Sequence, residues 1–219
     1  MAEPSPIRGD TRLRRAADVA VALPALLLLS PLLLVLAAWV KLDSPGPALY
    51  DQERMGLGGK PFRILKFRSM VVRADRIGPG ISGRHDPRVT RAGRILRAFK
   101  LDELPQLINI LRGEMTLIGP RAELARYLPH FTEDEKLLLC VRPGLTGLGQ
   151  IHFTEGQAAE LDAAADPEAH YLRSQLHEKL SLDLDYLRRR SLMLDIYVVA
   201  RTVAVLFGAF SISAARSEP

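Results

Sequence analysis

The sequence is poor in cysteine and in aromatic residues, and each shortage excludes something. Cys140 is the only cysteine in the 219 residues, so an internal disulfide cannot form. This fits a domain on the reducing side of a membrane, and we expect Cys140, within a leucine-rich run, to be a small core residue. Aromatic residues make up only 6% of the chain, its basic residues are scattered, and no recognition motif appears. The sequence therefore argues against nucleic acid as a partner.

Positive charge is in excess along the chain. Its 30 Lys and Arg residues outnumber its 25 Asp and Glu residues, which gives a net charge of +5 at pH 7. A basic protein attracts acidic partners, so the sequence predicts binding to anionic lipid or to a phosphorylated substrate. The length suits a single domain.

An apolar run without a charged residue extends from Val19 to Val40. It is long enough to cross the hydrocarbon core of a bilayer. It is too long for a simple signal peptide, and it lacks a cleavage site of small residues. Pro31 lies in its middle, where it removes a backbone hydrogen bond and bends or breaks a helix, and the hydroxyl of Ser30 can bond the carbonyl that is freed.

Basic residues flank the apolar run on both sides, and positive residues prefer the cytoplasmic side of a membrane. A straight span would leave one basic flank on the wrong side. We therefore favour a re-entrant helix that breaks at Ser30 and Pro31 and returns to the face from which it entered. The alternative is a single-pass anchor that Pro31 only kinks. The flanking basic residues are Arg8, Arg12, Arg14 and Arg15 on one side and Lys41, Arg54, Lys60, Arg63, Lys66 and Arg68 on the other.

The remainder of the chain is predicted to be mainly helical, with one small β-hairpin. The hairpin spans residues 48–67 around a glycine-rich turn, whose glycine spacing fits no phosphate-binding loop. Residues 90–99 and 156–190 are expected to be helical. The apolar segment from Leu192 to Phe210 contains Asp195 and Arg201, which favour an amphipathic helix at the membrane interface, or a core helix, over a lipid span.

Two adjacent carboxylates, Asp102 and Glu103, mark the most informative stretch. Pro105 follows them and suits the first turn of a helix but not its interior. The carboxylates are thus predicted at or just before a helix start, where unpaired N–H groups favour a carboxylate or an incoming phosphate. Arginines lie on both sides, at positions 94, 97, 112 and 121. The alternative interpretation is an ordinary acidic N-cap.

Four short motifs occur in a fixed order behind the segment that contains Ser30 and Pro31. They are residues 66–70 (KFRSM), 101–107 (LDELPQL), 119–121 (GPR) and 142–147 (RPGLTG). Together they resemble the bacterial sugar transferases known as monotopic phosphoglycosyl transferases, from about residue 14 to residue 202. The chain departs from the usual pattern of that family at Lys100, where Ser or Thr is common, and at Ala122, where proline is common.

The resemblance implies a fold and a reaction. The fold is a monotopic membrane protein with a re-entrant helix-break-helix, interfacial amphipathic helices and a small hairpin. The predicted division is a basic N-terminal flank (1–18), a re-entrant membrane helix (19–40) and a catalytic domain on the cytoplasmic face of the bacterial inner (plasma) membrane (41–212). The reaction moves a sugar-1-phosphate from a UDP-sugar to polyprenol phosphate, releases UMP and requires Mg²⁺. It is the first membrane step in the assembly of an exopolysaccharide, O-antigen or glycoconjugate.

The resemblance also implies roles for individual residues. Asp102 would be the nucleophile that carries a covalent phosphosugar, and Glu103 would assist as a metal ligand or general base, with Mg²⁺ held by both. Arg97 and Arg121 are expected on substrate phosphates. The other residues expected in or near the substrate site are Lys66, Arg68, Arg142 and Gln150.

A second hypothesis is a membrane-anchored basic scaffold without catalysis. It would explain the charge and the apolar helices but not an acid pair at a helix start between arginines. The sequence names neither the sugar nor the glycan pathway, and it leaves the oligomeric state open, a homodimer included.

Overall fold

The computed structural model describes the backbone of residues 9–83, 85–152 and 155–215, and their side chains as far as Val205, except for positions 155, 156 and 158. Arg8 and the rest of residues 1–8 of the predicted basic flank lie outside the described residues. The protein is mainly helical. The helices are α1 (Arg12–Asp43), α2 (Arg91–Ala98), α3 (Gln106–Arg112), α4 (Leu148–Ile151), α5 (Glu155–Ala163), α6 (Pro167–His170), α7 (Leu176–Arg189) and α8 (Leu192–Ala215).

Two small sheets accompany the helices. The antiparallel hairpin of β1 (Leu49–Met55) and β2 (Pro61–Phe67) pairs Leu49 with Phe67 and Met55 with Pro61. This confirms the predicted hairpin. A second sheet, which the sequence does not predict, pairs β3 (Thr116–Ile118) with β4 (Gly144–Thr146) in parallel.

Helix α1 is continuous through Ser30 and Pro31, so the expected non-helical break is not present there. The reason is local. Pro31 has no N–H to donate to the carbonyl of Leu27, four residues earlier, and the hydroxyl of Ser30 donates to that carbonyl instead at 2.8 Å. The helix is also longer than the predicted 19–40 segment, because Thr11 caps its start by accepting a hydrogen bond from the Arg14 N–H. By length and composition, α1 is able to cross a membrane.

One stripe of α1 packs along the rest of the protein from end to end. Near its start, the Asp18 carboxylate accepts hydrogen bonds from the hydroxyl of Thr116 at 3.0 Å and the N–H of Leu117 at 2.9 Å. At its end, Asp43 accepts one from the N–H of Ala92 at 3.1 Å. Both ends of α1 are therefore held by the same body. Between them, Ala22 is fully buried, whereas much of the opposite face, including residues 27, 28, 34 and 35, is exposed and apolar.

The largest core lies under α7 and contains the fully buried side chains of Leu176, Leu180 and Leu187. Helix α8 packs on this core through Val198. Its acidic residue, Asp195, is explained by two contacts, an ion pair with Arg14 and a hydrogen bond from the Tyr186 hydroxyl, each at 2.6 Å. A predicted core position is wrong, because Cys140 is exposed at the end of a short 3₁₀ segment, Glu135–Cys140.

Candidate active site

The acid pair sits on a tight turn between two short helices. Helix α2 ends at Ala98, and Lys100 adopts a left-handed conformation with φ 55°. This residue reverses the chain into a 3₁₀ turn, Leu101–Glu103, that carries both carboxylates. Pro105 then stands at the start of α3, and Gly113, with φ 83°, ends that helix. The predicted position of the acid pair, at or just before a helix start, is confirmed.

A buried amide fastens α3 to the hairpin and so places a lysine beside the acid pair. The Asn109 side chain donates to the carbonyl of Arg63 at 2.8 Å and accepts from the N–H of Leu65 at 2.9 Å. Because Asn109 thereby fixes β2 against α3, the next residue of the strand, Lys66, reaches the turn. Its ammonium group lies 2.9 Å from Oε1 of Glu103.

Glu103 is the paired member of the two acids. Besides Lys66, the guanidinium of Arg121 lies 3.8 Å from the same oxygen. Burial raises the pKa of Glu103, but Lys66 and Arg121 together outweigh it, so the net pKa is far below its ordinary value. Glu103 is therefore ionised throughout the physiological range.

Asp102 is in a different situation although it is the next residue. Its side chain is buried, with an exposed fraction of 6%, and it lines the main cavity. No residue that the structure describes donates a hydrogen bond to its carboxylate. Burial raises the pKa of Asp102, and Lys66 and Arg97 oppose this only in part. Its oxygens are thus left available to a bound substrate or ion.

Arg97, expected on a substrate phosphate, borders the cavity and interacts electrostatically with Asp102. Two serine hydroxyls hold its guanidinium, that of Ser69 at 2.8 Å and that of Ser82 at 2.7 Å. Burial lowers the pKa of Arg97, and Asp102 provides the largest opposing effect. The two serines orient the guanidinium and leave part of it to face an anion in the cavity.

Arg68 and Arg142, both expected near the substrate, are used elsewhere. Arg68 borders the cavity, but its guanidinium donates to the carbonyls of residues 40, 44, 45 and 47 and to the Ser44 hydroxyl, so it joins the end of α1 to the hairpin. Arg142 does not border the cavity. It donates to the carbonyl of Gly113 at 2.7 Å and forms an ion pair with Asp10 at 3.1 Å. A guanidinium donates to carbonyl oxygens as well as to phosphates, and here the folded backbone supplies acceptors to both arginines.

Gln150 and three residues that sequence analysis missed complete the wall beyond Arg121. Gln150 lies in α4 and borders the cavity. Glu123 is buried and accepts a hydrogen bond from the Tyr171 hydroxyl at 2.9 Å. The ammonium group of Lys179 stands over the Tyr171 ring, 4.5 Å from its centre. Burial lowers the pKa of Lys179 to about 7.

Asp183 joins two of these wall segments. It is almost fully buried on α7, and its carboxylate accepts the N–H of Arg121 at 2.9 Å and the N–H of Gly149 at 3.0 Å. Burial raises the pKa of Asp183 to about 6, with the two N–H groups acting in the opposite direction. Lys179 and Asp183 are four residues apart on one helix face, which was the available sequence signal, but a charged helix gives no indication of which face is buried.

The acid pair suits a magnesium ion better than a metal that needs a full protein cage. The described part of the chain contains no group of three or more His, Cys, Asp or Glu side chains able to hold a metal. Magnesium, however, is commonly held by one or two carboxylates together with waters and substrate phosphates. The unengaged carboxylate of Asp102 and the ionised carboxylate of Glu103 beside it fit that mode of coordination.

An acid pair among cations, in a cavity of about 1960 Å³ beside an apolar helix of membrane length, is the arrangement expected of an enzyme that handles phosphate esters at a membrane. The comparison with protein families makes this specific. The family model described as bacterial sugar transferase matches residues 9–209, and the chain belongs to this family.

Individual relatives agree with the family assignment. The chain is 41% identical to a UDP-glucose:undecaprenyl-phosphate glucose-1-phosphate transferase of Caulobacter vibrioides, over 88% of this chain and 69% of the relative. It is 36% identical to a UDP-N-acetylgalactosamine-undecaprenyl-phosphate N-acetylgalactosaminephosphotransferase of Aeromonas hydrophila, over 94% and 46%. It is 38% identical to a UDP-glucose:undecaprenyl-phosphate glucose-1-phosphate transferase of Escherichia coli, over 91% and 41%. The chain thus spans less than half the length of the last two.

Proposed function

We propose that this protein transfers a sugar-1-phosphate from a UDP-sugar to undecaprenyl phosphate and releases UMP, which begins the assembly of a membrane-linked glycan. The observation that carries the proposal is the contrast within the acid pair, where Glu103 is held by two cations and Asp102 faces the cavity with its oxygens unengaged. The names of the relatives support the same reaction and leave the sugar open between glucose and N-acetylgalactosamine.

In the first step, an oxygen of Asp102 attacks the phosphorus that bears the sugar. A bond forms between that oxygen and phosphorus, and the bond from phosphorus to the bridging oxygen of the diphosphate breaks. UMP leaves with the bridging oxygen and its electron pair. Arg97 and Arg121, on either side of the acid pair, bind the phosphate oxygens and offset the negative charge that repels the carboxylate.

In the second step, a phosphate oxygen of undecaprenyl phosphate attacks the same phosphorus. The bond to Asp102 breaks, the carboxylate is regenerated, and the lipid carries the sugar on a diphosphate. No proton has to be removed from an anionic phosphate. This suits a Glu103 whose pKa is too low for a general base, so it would hold Lys66 and Arg121 in place and serve as a metal ligand.

Mg²⁺ would be held by Asp102 and Glu103, where it would supply positive charge that neutralises the diphosphate of the donor. The chain's own residues would meanwhile orient the two substrates, and burial of the acid pair would limit the access of water.

The protein would act on the cytoplasmic face of the inner membrane, with α1 entering and leaving on that side. The support is that both ends of α1 bond to the same body, at Asp18 and Asp43, and that both flanks are basic. A fully spanning helix would place these two ends on opposite sides of the bilayer. Re-entry through a continuous helix would require a bend at Pro31 rather than a loop.

The reaction is tested by measuring UMP release with a panel of UDP-sugars, undecaprenyl phosphate and Mg²⁺. We expect release with one sugar, and its loss in Asp102→Asn. The matched control is Asp51→Asn, which alters an exposed carboxylate paired only with Arg63 on the hairpin. Unchanged release in Asp102→Asn would refute the nucleophile, and no release with any sugar from folded protein would favour a non-catalytic scaffold.

The topology is tested with a thiol reagent that does not cross membranes. The exposed Cys140 reports the side on which the domain lies, and Arg12→Cys in a Cys140→Ser background reports the start of α1. Re-entry predicts that both thiols are labelled only in inside-out vesicles. Labelling of the two thiols from opposite faces would establish a single span and refute re-entry.

A further inference from the structure

The main cavity has a second arm that is apolar. From the acid pair the cavity continues past the β3–β4 sheet and runs between the first turns of α1 and those of α8. We name this arm the α1–α8 cleft. Its apolar lining includes Ala17 and Val21 of α1, Leu117 and Leu145 of the sheet, and Ile196 and Val199 of α8, and the charged Arg14, Asp18 and Asp195 also border it.

Helix α8 presents a defined face to this cleft. Residues 192, 195, 196, 199, 200, 202 and 205 of this helix border the cavity, and most of them fall on one side of it. The buried Val198 points to the core, while Met193 and Tyr197 are exposed on the opposite side and do not border the cavity. The cleft face is thus distinct from the outer surface of the same helix.

The two walls of the cleft are joined but not closed. Arg14 of α1 and Asp195 of α8 form an ion pair at 2.6 Å, which holds the helix starts side by side. Beyond it the apolar walls remain open, since Val21 is 53% exposed and Ile196 is 55% exposed. An apolar path therefore leads from the outer surfaces of the two helices toward Asp102.

We propose that the α1–α8 cleft holds the hydrocarbon chain of the lipid-phosphate acceptor and directs its phosphate to Asp102. This rests on the proposed function. The cavity is cationic at one end, with Lys66, Arg97 and Arg121 around the acid pair, and apolar at the other. An amphiphile with an anionic head and a long apolar tail matches both ends. A UDP-sugar is polar throughout and would not occupy the apolar arm.

The cleft would act by alignment rather than by hydrophobic affinity. A polyprenol chain already lies in an apolar medium, so moving it from lipid into the cleft gains little from leaving water. What the walls supply is a fixed direction for the chain, which brings the phosphate to the attacking distance. Filling the cleft should therefore impair transfer to a long-chain acceptor and leave the other activities unchanged.

The test compares tryptophan substitutions inside and outside the cleft on the same two helices. Ile196→Trp and Val21→Trp fill the cleft, and Met193→Trp and Leu23→Trp place the same side chain on exposed apolar positions that do not border it. Each variant is assayed with undecaprenyl phosphate, with a soluble short-chain prenyl phosphate, and for exchange of labelled UMP into UDP-sugar without an acceptor.

We expect the cleft variants to lower kcat/KM for undecaprenyl phosphate about tenfold, the usual scale for a change in the fit of an apolar pocket, with short-chain kcat/KM and exchange unchanged. The control variants should match the unsubstituted protein in all three assays. Equal kcat/KM values in cleft and control variants would show only general lipid contact and overturn the proposal. Loss of all three activities in both cleft variants would also overturn it, because the cleft would then be needed for the fold. Absence of turnover and exchange in the unsubstituted protein would instead contradict the proposed function itself.

Discussion

Buried acids at the cavity wall and behind it are stabilised in different ways. On the turn after α2, Glu103 lies beside two charged partners, Lys66 and Arg121. On α7, Asp183 accepts hydrogen bonds from two backbone N–H groups of the described residues, those of Arg121 and Gly149. Both carboxylates are removed from water, which by itself raises a carboxyl pKa. The pKa of Glu103 nevertheless lies far below its ordinary value, whereas that of Asp183 is raised to about 6.

The difference shows that the nearby cations outweigh burial at Glu103, whereas two N–H groups and the charge of Arg121 do not outweigh it at Asp183. Glu103 is therefore ionised at neutral pH, which its ion pairs with two cations require. Asp183 takes up a proton in the mildly acidic range. The substrate-facing region and its supporting region should consequently respond differently to the loss of a partner and to pH.

The largest effect is expected when Glu103 loses its nearest cation. In Lys66→Met, a buried carboxylate keeps only more distant cations, Arg121 and Lys100, and unpairing one member of a buried pair costs about 3 kcal/mol in the free energy of unfolding. The loss of a cation beside the reacting phosphates should lower kcat/KM by about 100-fold or more. The measurements are thermal unfolding and UMP release, with Lys60→Met as an exposed control on the same hairpin.

A second substitution separates charge from packing in this prediction. In Lys66→Met with Glu103→Gln, the unpaired charge is gone, so most of the stability should return while activity stays low. A double variant no more stable than Lys66→Met would show that the lysine acts through its apolar stem. The conclusion that Glu103 is stabilised mainly by charged partners would then be wrong.

The elements around the acid pair were predictable because their signals are local. Pro105 and Gly113 delimit α3, the glycine-rich turn defines the hairpin, and Ser30 compensates for Pro31, each through bonds within a few residues. The same local balance accounts for the continuity of α1 at Pro31, where the Ser30 hydroxyl bonds the carbonyl that the proline leaves free.

Features that depend on distant partners could not be predicted in this way. Arg142 stands next to a proline and a glycine in a family motif, yet its acidic partner, Asp10, is at the other end of the chain. The acceptors of Arg68 are carbonyls at the end of α1, whose position depends on packing. The support of Arg121 by Asp183 likewise appears only when α7 is folded against the loop after β3.

A smaller effect is expected at Asp183, since it supports the loops without facing the substrate phosphates. Asn in its place can accept one N–H but presents its own N–H₂ to the other, so the loops that carry Arg121 and Gln150 should loosen. We expect Asp183→Asn to raise KM for the UDP-sugar about tenfold and to change kcat less. Asp185→Asn, two residues away on the same helix and half-exposed beside Arg189, is the control. An unchanged KM would show that the two N–H contacts do not position the site.

The pH dependence of stability tests the same two N–H contacts of Asp183 through the charge of its carboxylate. Because the pKa of Asp183 is higher in the folded than in the unfolded protein, its stabilising contribution is complete below pH 4 and is lost as the pH rises through about 6. Asp183→Asn removes this contribution, so the unsubstituted protein should exceed the variant in Tm by more at pH 5 than at pH 7.5. The pH dependence of the Glu103 contribution has the opposite sign, because a carboxyl whose pKa is lowered by folding stabilises the protein above its unfolded pKa. Glu103→Gln should therefore lower Tm by more at pH 7.5 than at pH 4. Parallel Tm curves for all three proteins would mean that the two buried acids do not differ in ionisation, and the distinction between a charge-held and a dipole-held carboxylate would have to be given up.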